Sequence, residues 1–145
     1  KFVDPGIGPV CYDRSLFQLE LDRESDLFFD IRTKNGIEPA RIGDSSSEAL
    51  LSIGEFFFAN RESFFFLFHQ EGDLIGSILH LDNYIQMLCV SREYQRQGYG
   101  AKLAQYCINR ILEEGYTSVE LNILDGNVSA ERLYSRLGFE EIDMQ

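Results

Sequence analysis

Three apolar runs follow one another between Ser63 and Val90. Ser63 to His69 and Leu74 to Leu81 are aromatic or branched and are separated by Gln70-Glu71-Gly72-Asp73, which reads as a hairpin. Asp82-Asn83 supplies a second turn, and Tyr84 to Val90 forms a third, antiparallel strand. The period then changes. Leu103, Ala104, Cys107, Ile108, Ile111 and Leu112 recur at helical spacing between Gly100 and Glu114, and Gly115 fits the position just past a helix end. Ser118 to Leu124 alternates, with Val119, Leu121 and Ile123 on one face and Glu120 and Asn122 on the other, as a strand with a polar face does. Asp125-Gly126-Asn127 turns the chain with Asn127 as a natural N-cap. Ala130, Leu133, Tyr134 and Leu137 mark a second helical face closed by Gly138-Phe139, and a last strand is predicted over residues 139–144.

The front of the chain carries weaker patterns. Ser15 to Leu21 and Leu27 to Arg32 read as strands, whereas Ser46 to Asn60 reads as a helix with Ser45, Ser46 or Ser47 as its cap. The aromatic runs Phe56 to Phe58 and Phe64 to Phe66 read first as core, with an acyl or substrate pocket as the alternative. No internal repeat or low-complexity linker interrupts the 145 residues, which are enough for one domain with a core and too few for two. Residues 1–26 are read as an extra strand or the remnant of a preceding domain.

Charge and cysteines narrow the class. The net charge of −11 is concentrated before residue 92 and in the short tail, while Arg92, Arg96, Lys102, Arg110, Arg132 and Arg136 balance the acids of residues 92–136. Such a field disfavours nucleic acid and favours cationic ligands such as amines; the competing reading is a solvated acidic surface. Cys11, Cys89 and Cys107 have no metal-like spacing and are odd in number, so reduced buried thiols are expected and a metal site is not. No apolar run approaches the ~18 residues of a membrane span, and the first residues do not read as a signal peptide. The expectation is a soluble cytoplasmic protein without a membrane partner. A homodimer is compatible with the sequence.

Candidate chemistry begins where the third strand ends. Val90 to Ala101 runs from strand through a Gly-rich turn into a helix, so that Gly98 and Gly100 allow backbone N–H groups to converge on a phosphate near the positive end of the helix dipole. A tight turn is the simpler reading of Gly-x-Gly alone. Some twenty-five residues later comes Asn127-x-x-Ala130-x-x-Leu133-Tyr134-x-x-Leu137-Gly138-Phe139. Together, Gln95-x-x-Gly98-x-Gly100 and this second signature resemble the two motifs of the GNAT N-acetyltransferases, in the same order, with a helix and a strand between them. The resemblance is clear over residues 64–143 and is silent on substrate.

It implies a mixed α+β fold, a largely antiparallel central sheet flanked by helices and splayed at an acyl-CoA cleft, and acetyl-CoA as co-substrate without a metal. The site residues it implies are Gln95, Arg96, Gln97, Gly98, Tyr99, Gly100 and Ala101 around the pyrophosphate, and Leu88, Cys89 and Val90 along the pantetheine arm and acyl carbonyl. Asn127 would hold that arm or cap its helix, and Tyr134 would act as general acid. Without the resemblance, residues 88–90 read as sheet core and Tyr134 as a core tyrosine. Relatives often carry a glutamate at the positions of Tyr84 or Asn122; neither is a carboxylate here. Glu120 and Asp82 are the nearest substitutes, each with a structural or solvent-exposed role as the simpler reading. His69 and His80 read as packing residues. Acetyl transfer to an amine by direct attack is the first functional expectation, and an inactive GNAT-fold module that binds acyl-CoA or a partner protein is the second. The family's fold ends in two strands where only one fits before Gln145. The early segment 15–21 is therefore expected to pair with the last strand, unless the chain is a piece of a longer or tandem protein.

Overall fold

A computed structural model describes residues 9–34, 36, 46–123, 128–140 and 142. Five strands form one sheet in the order β1 (Val10–Cys11), β2 (Phe64–Phe68), β3 (Leu74–Leu81), β4 (Tyr84–Val90), β5 (Glu120–Leu121). All neighbours are antiparallel except β4 and β5, which are parallel. Helices α1 (Phe17–Lys34) and α2 (Ser47–Ala59) precede β2, α3 (Tyr99–Glu113) links β4 to β5, and α4 (Val128–Arg136) follows. The mixed α+β class and the largely antiparallel sheet flanked by helices are as the sequence led us to expect.

Alternation along β2 explains its unbroken apolar run, because both faces of the sheet are covered. Phe65 and Leu67 pack with Ile75, Ile78 and Ile85 against Leu103, Ala104, Cys107 and Ile111 of α3 and Tyr134 of α4. Phe64 and Phe66 face the other way, with Tyr12, Leu79 and Phe57 of α2. Ring contacts knit this second core, Phe57 meeting Phe64 edge-on at 4.9 Å between centroids. The aromatic runs are thus mainly core, although Phe56 stays exposed beside a cavity.

A bulge in β4 decides what faces where. Leu79 pairs with Met87 but His80 pairs with Ile85, so Gln86 is the extra residue. Without it, Ile85 and Met87 would share a face. With it, Ile85 joins the α3 core while Met87 turns to the α1–α2 side.

Several turn and cap expectations hold. Ser46 caps α2, its Oγ accepting from Ala49 N at 3.2 Å. Gly115 and Gly138 follow α3 and α4 with φ of +102° and +97°, the left-handed region that ends a helix cheaply in glycine. His80 is buried as a packing residue, Nδ1–H donating to the Asp82 carbonyl at 2.8 Å.

The early strands are corrected. Arg14 to Leu16 form a 3₁₀ turn capped by Asp13, and Phe17–Lys34, including Leu27 to Arg32, is one α-helix. Phe17 and Leu21 stand one helical turn apart as well as on alternate strand positions, so five residues satisfy both periods; Glu20, Leu21 and Glu24 on one inward face obey only the helical one. Residues 15–21 therefore do not pair with a last strand. What joins the sheet from the early chain is β1, which covers the outer edge of β2, with Tyr12 N bonded to Phe64 O at 2.8 Å. Of the expected last strand, Phe139 and Glu140 are unpaired by any strand and most of the rest lies outside the described residues. So do Leu124 and Asn127, with Asn127's expected role. Among the described residues no helix is long and apolar enough to cross a membrane.

Candidate active site

The sheet opens where β4 ends. Parallel pairing to β5 is confined to Tyr84 with Glu120 and Ile85 with Leu121, so among the described residues Leu88, Cys89 and Val90 have a neighbouring strand on one side only, where they stand opposite Ile78, Ser77 and Gly76 of β3. Backbone groups on their other edge face no strand among the described residues. Gly76 makes this end possible, since a Cβ there would stand 2.5 Å from the Cys89 carbonyl oxygen.

The loop after β4 is pinned at many points. Ser91 donates from N to Ile75 O and from Oγ to Leu74 O at 2.6 Å, both tying it to β3. Arg92 grips Asp30 of α1 with Nε and Nη2 at 2.7 and 2.6 Å. Gln95 Nε2 donates to Val90 O at 3.0 Å and Gln97 Nε2 to Glu93 O at 2.9 Å, which fold the loop back on itself. Tyr94 packs edge-on against buried Tyr99. Held this way, Arg96 at φ +63° and Gly98 at φ +90° turn successive amides into one concavity, and Gly98, the N-cap of α3, offers no capping side chain. The left-handed Arg96 is strained for a residue with a Cβ, a cost usually found at functional sites. Gly100 and Ala101 follow in the first helical turn, whose dipole adds to the site. A concavity of amides of this kind can hold an anion, and it lies at the open end of β4.

Tyr134 arrives from α4 on the α3 side of the sheet. It is buried, packed edge-on against Phe139 at 5.4 Å. Burial, with the Cys107 and Cys89 thiols nearby, pushes its phenol up to about 12. This phenol keeps its proton throughout the neutral range. Cys107 is pushed to about 12, chiefly by burial.

The base candidates lie elsewhere. Glu120 stands opposite Tyr84 at the start of β4, where its Oε2 accepts from Asn83 Nδ2 at 3.2 Å. At about 3.3 Å per residue, Tyr84 is more than ~10 Å from Leu88. Asn122 is exposed just past β5, and Asp82 accepts from the Tyr116 hydroxyl at 3.1 Å in a turn with φ +52°. The structure brings none of these to the open end of β4.

It brings two other carboxyls instead. Glu20, fully buried on α1, accepts from Ser77 Oγ at 2.6 Å, and Ser77 is the β3 partner of Cys89. Glu24, one turn on, shares a hydrogen bond with Glu20. Burial first, and then Glu24 itself, raise Glu20 well above the ordinary carboxyl value; burial raises Glu24 too. Burial, then Glu20 and Glu24, hold the Cys89 thiol in its neutral form. Cys89 is thus the common neighbour of Tyr134 and of the acidic pair. Sequence reasoning missed Glu20 because its segment read as strand, and Glu24 because it fell between two segments so read; the Glu-x-x-x-Glu spacing on the face of Phe17 and Leu21 was the available signal.

Among the described residues no group of three or more His, Cys, Asp and Glu is placed to hold a metal. Comparison with known proteins adds the following. The family model described as "Acetyltransferase (GNAT) family" matches residues 21–139. A [Ribosomal protein bS18]-alanine N-acetyltransferase from Haemophilus ducreyi is 33% identical over 58 residues, about 40% of each chain, so the match spans well under half of that relative. Among solved structures, an acetyltransferase of the GNAT family from Staphylococcus aureus Mu50 superposes with a TM-score of 0.68 at 22% identity, covering 94% of this chain and 85% of that one. A possible acetyltransferase from Clostridium difficile 630 gives 0.70 at 16% identity, covering 95% and 93%. At these identities the two structures speak for the fold.

Proposed function

Since the chain belongs to the GNAT acetyltransferase family, we propose that it is an acyltransferase moving an acetyl group from acetyl-CoA to an amine of a small molecule or protein, by direct attack within a ternary complex. One observation carries the reading: β5 leaves β4 after Ile85, and the edge exposed at Leu88 to Val90 runs straight into the amide cradle of residues 96–101.

The residues present fit the co-substrate. The cradle and the first turn of α3 suit a pyrophosphate, with the exposed Arg96 side chain beside them. The β4 edge supplies unpaired peptide groups to the amide-bearing pantetheine arm, and an N–H aimed at the acyl oxygen in a water-poor site supports several kcal/mol of transition-state charge. Asn127 is proposed to act on the same arm.

Tyr134 acts on the leaving sulfur. A phenol near 12 faces a thiol near 8.5, so outright transfer even to the fully formed thiolate is uphill by roughly 5 kcal/mol. Its part is a hydrogen bond that strengthens as the C–S bond breaks and charge collects on sulfur. The acidic field before residue 92 favours a cationic amine, and a cytoplasmic setting suits such chemistry.

The ribosomal-protein relative makes a terminal alanine amine one acceptor to try. The test is thiol release from acetyl-CoA with a panel of aliphatic amines and an alanine-terminated peptide. Release that depends on an amine supports the proposal. Acetyl-CoA binding without release across the panel would favour the inactive acyl-CoA-binding module.

A further inference from the structure

Between α1, α2 and the bulge of β4 lies a cavity of about 340 Å3, lined by Leu21, Ile53, Phe56, Phe57 and Met87. Its polar groups are Glu24, Gln86 and Ser52. Gln86 and Met87 both line it, because the bulge lets two consecutive residues of β4 face the same side.

Glu24 joins this cavity to the buried pair. Glu20 Oε2 and Glu24 Oε2 are both buried, and apart from the hydrogen bond the pair shares no donor among the described residues meets either; Ser77 serves only Glu20 Oε1. Buried carboxyl oxygens without donors are costly to leave so. The charged and titratable neighbours supply no donor to them: the charge of Arg23 on α1 favours an ionised Glu20 from a distance while its own Nε is without an acceptor, Cys89 on β4 is a neutral thiol, and α2 lines the cavity with Ser52, Ile53, Phe56 and Phe57. On the β3 side the neighbour is the uncharged Ser77. The vacant acceptors call for a compact donor with positive charge, and the walls call for an apolar body behind it.

Building on the transferase reading above, we propose that Glu24, backed by Glu20, is the recognition site for the ammonium head of the acceptor, and that the cavity selects a primary amine on an apolar stem. The ammonium supplies donors to the two Oε2 atoms, and Ser52 and Gln86 complete the polar rim. The two carboxyls hold one proton between them when the site is empty, as closely paired carboxyls do, and an arriving cation favours their ionisation. Binding is therefore linked to release of that proton to solvent.

The test needs no acetyl-CoA. Phenethylamine and its neutral counterpart phenethyl alcohol are titrated calorimetrically into the full chain at neutral pH, in phosphate and in Tris, whose heats of protonation differ. The expected result is at least tenfold tighter binding of the amine, with a buffer-dependent heat that reports proton release. Glu24→Gln should erase the preference for the amine while leaving phenethyl alcohol within about twofold. Equal affinity for the two compounds, or an undiminished preference in a folded Glu24→Gln, overturns the proposal. Should that variant not fold, the parent decides alone: binding without proton exchange also overturns it. Acetyl-CoA binding, titrated separately, keeps the readings apart, because its failure beside intact amine recognition would sink the transferase reading and not this one.

Discussion

Gly100→Asp separates the ligand site from the fold. Gly100 lies inside the first turn of α3 without a positive φ, and a Cβ there would sit 3.6 Å from Leu133 Cδ2 and 3.7 Å from Val90 Cγ2, ordinary contact distances. Packing therefore does not demand glycine. Replacing it should gain about 0.5–1 kcal/mol from backbone entropy, and a carboxylate at a helix N-terminus about 0.3–1 kcal/mol more. For a chain of this size that is a rise in Tm of a few degrees, roughly 2–4 °C per kcal/mol. The bound pyrophosphate meets the opposite effect. One pair of like charges about 5 Å apart, at an effective dielectric of about 20, costs about 3 kcal/mol, or roughly 200-fold in Kd. Gly98 is a poorer probe because its φ of +90° would strain any replacement. Calorimetric titration of acetyl-CoA into the variant, beside a thermal melt, reads both quantities. A folded variant that binds as tightly as the parent would refute the pyrophosphate assignment.

Three further outcomes follow from the same geometry. Gly76→Ala should destabilise by about 1–3 kcal/mol through overpacking, since its Cβ would meet the Cys89 carbonyl oxygen at 2.5 Å and Leu103 at 3.0 Å; a denaturant midpoint equal to the parent's would contradict the close approach of β3 and β4. Tyr134→Phe should lower turnover while leaving acetyl-CoA affinity within a few-fold, and because the phenol is held near 12, no limb of the parent's rate profile below pH 9 should belong to it; equal rates would reassign Tyr134 to packing. Glu20, raised well above its ordinary value near 4.5, favours the fold in its protonated form, so its stabilisation is present at pH 4.5 and is lost as the pH climbs through the folded value. Glu20→Gln should flatten that decline in urea titrations at pH 5 and pH 8, and parallel pH dependence in both proteins would argue that Glu20 is not proton-bearing.

The elements that could be read directly were those whose pattern had only one geometric solution. The stripe from Leu103 to Ile111 repeats over more than two turns of α3, and the turns at residues 70–73 and 82–83 separate strands too short to be anything else; each appears with nearly the expected bounds. The Gly98 cradle and Tyr134 were legible from local sequence because loop conformation and helix face are local properties. Ser15 to Leu21 failed for the converse reason, since five alternating residues fit a strand while the next dozen make a helix.

What no local pattern contained was the relation between segments distant in the chain. That β5 pairs with β4 for two residues and no further is a matter of strand pairing, and only that limit turns Leu88 to Val90 from sheet core into an open edge. Gln86 looks like any polar strand residue until its register against β3 shows the bulge. Nothing in the local pattern marks Glu20 or Glu24 as buried, and their meaning comes from Ser77, 57 residues from Glu20, and from the cavity walls of α2. The sequence by itself determined the family and marked the Gly98 turn and the helix face of Tyr134, because each is written in contiguous residues whose backbone geometry and periodicity are short-ranged. The tertiary structure alone decided where the sheet opens and which carboxyls are buried beneath it, because burial and strand pairing depend on contacts between segments far apart in the chain.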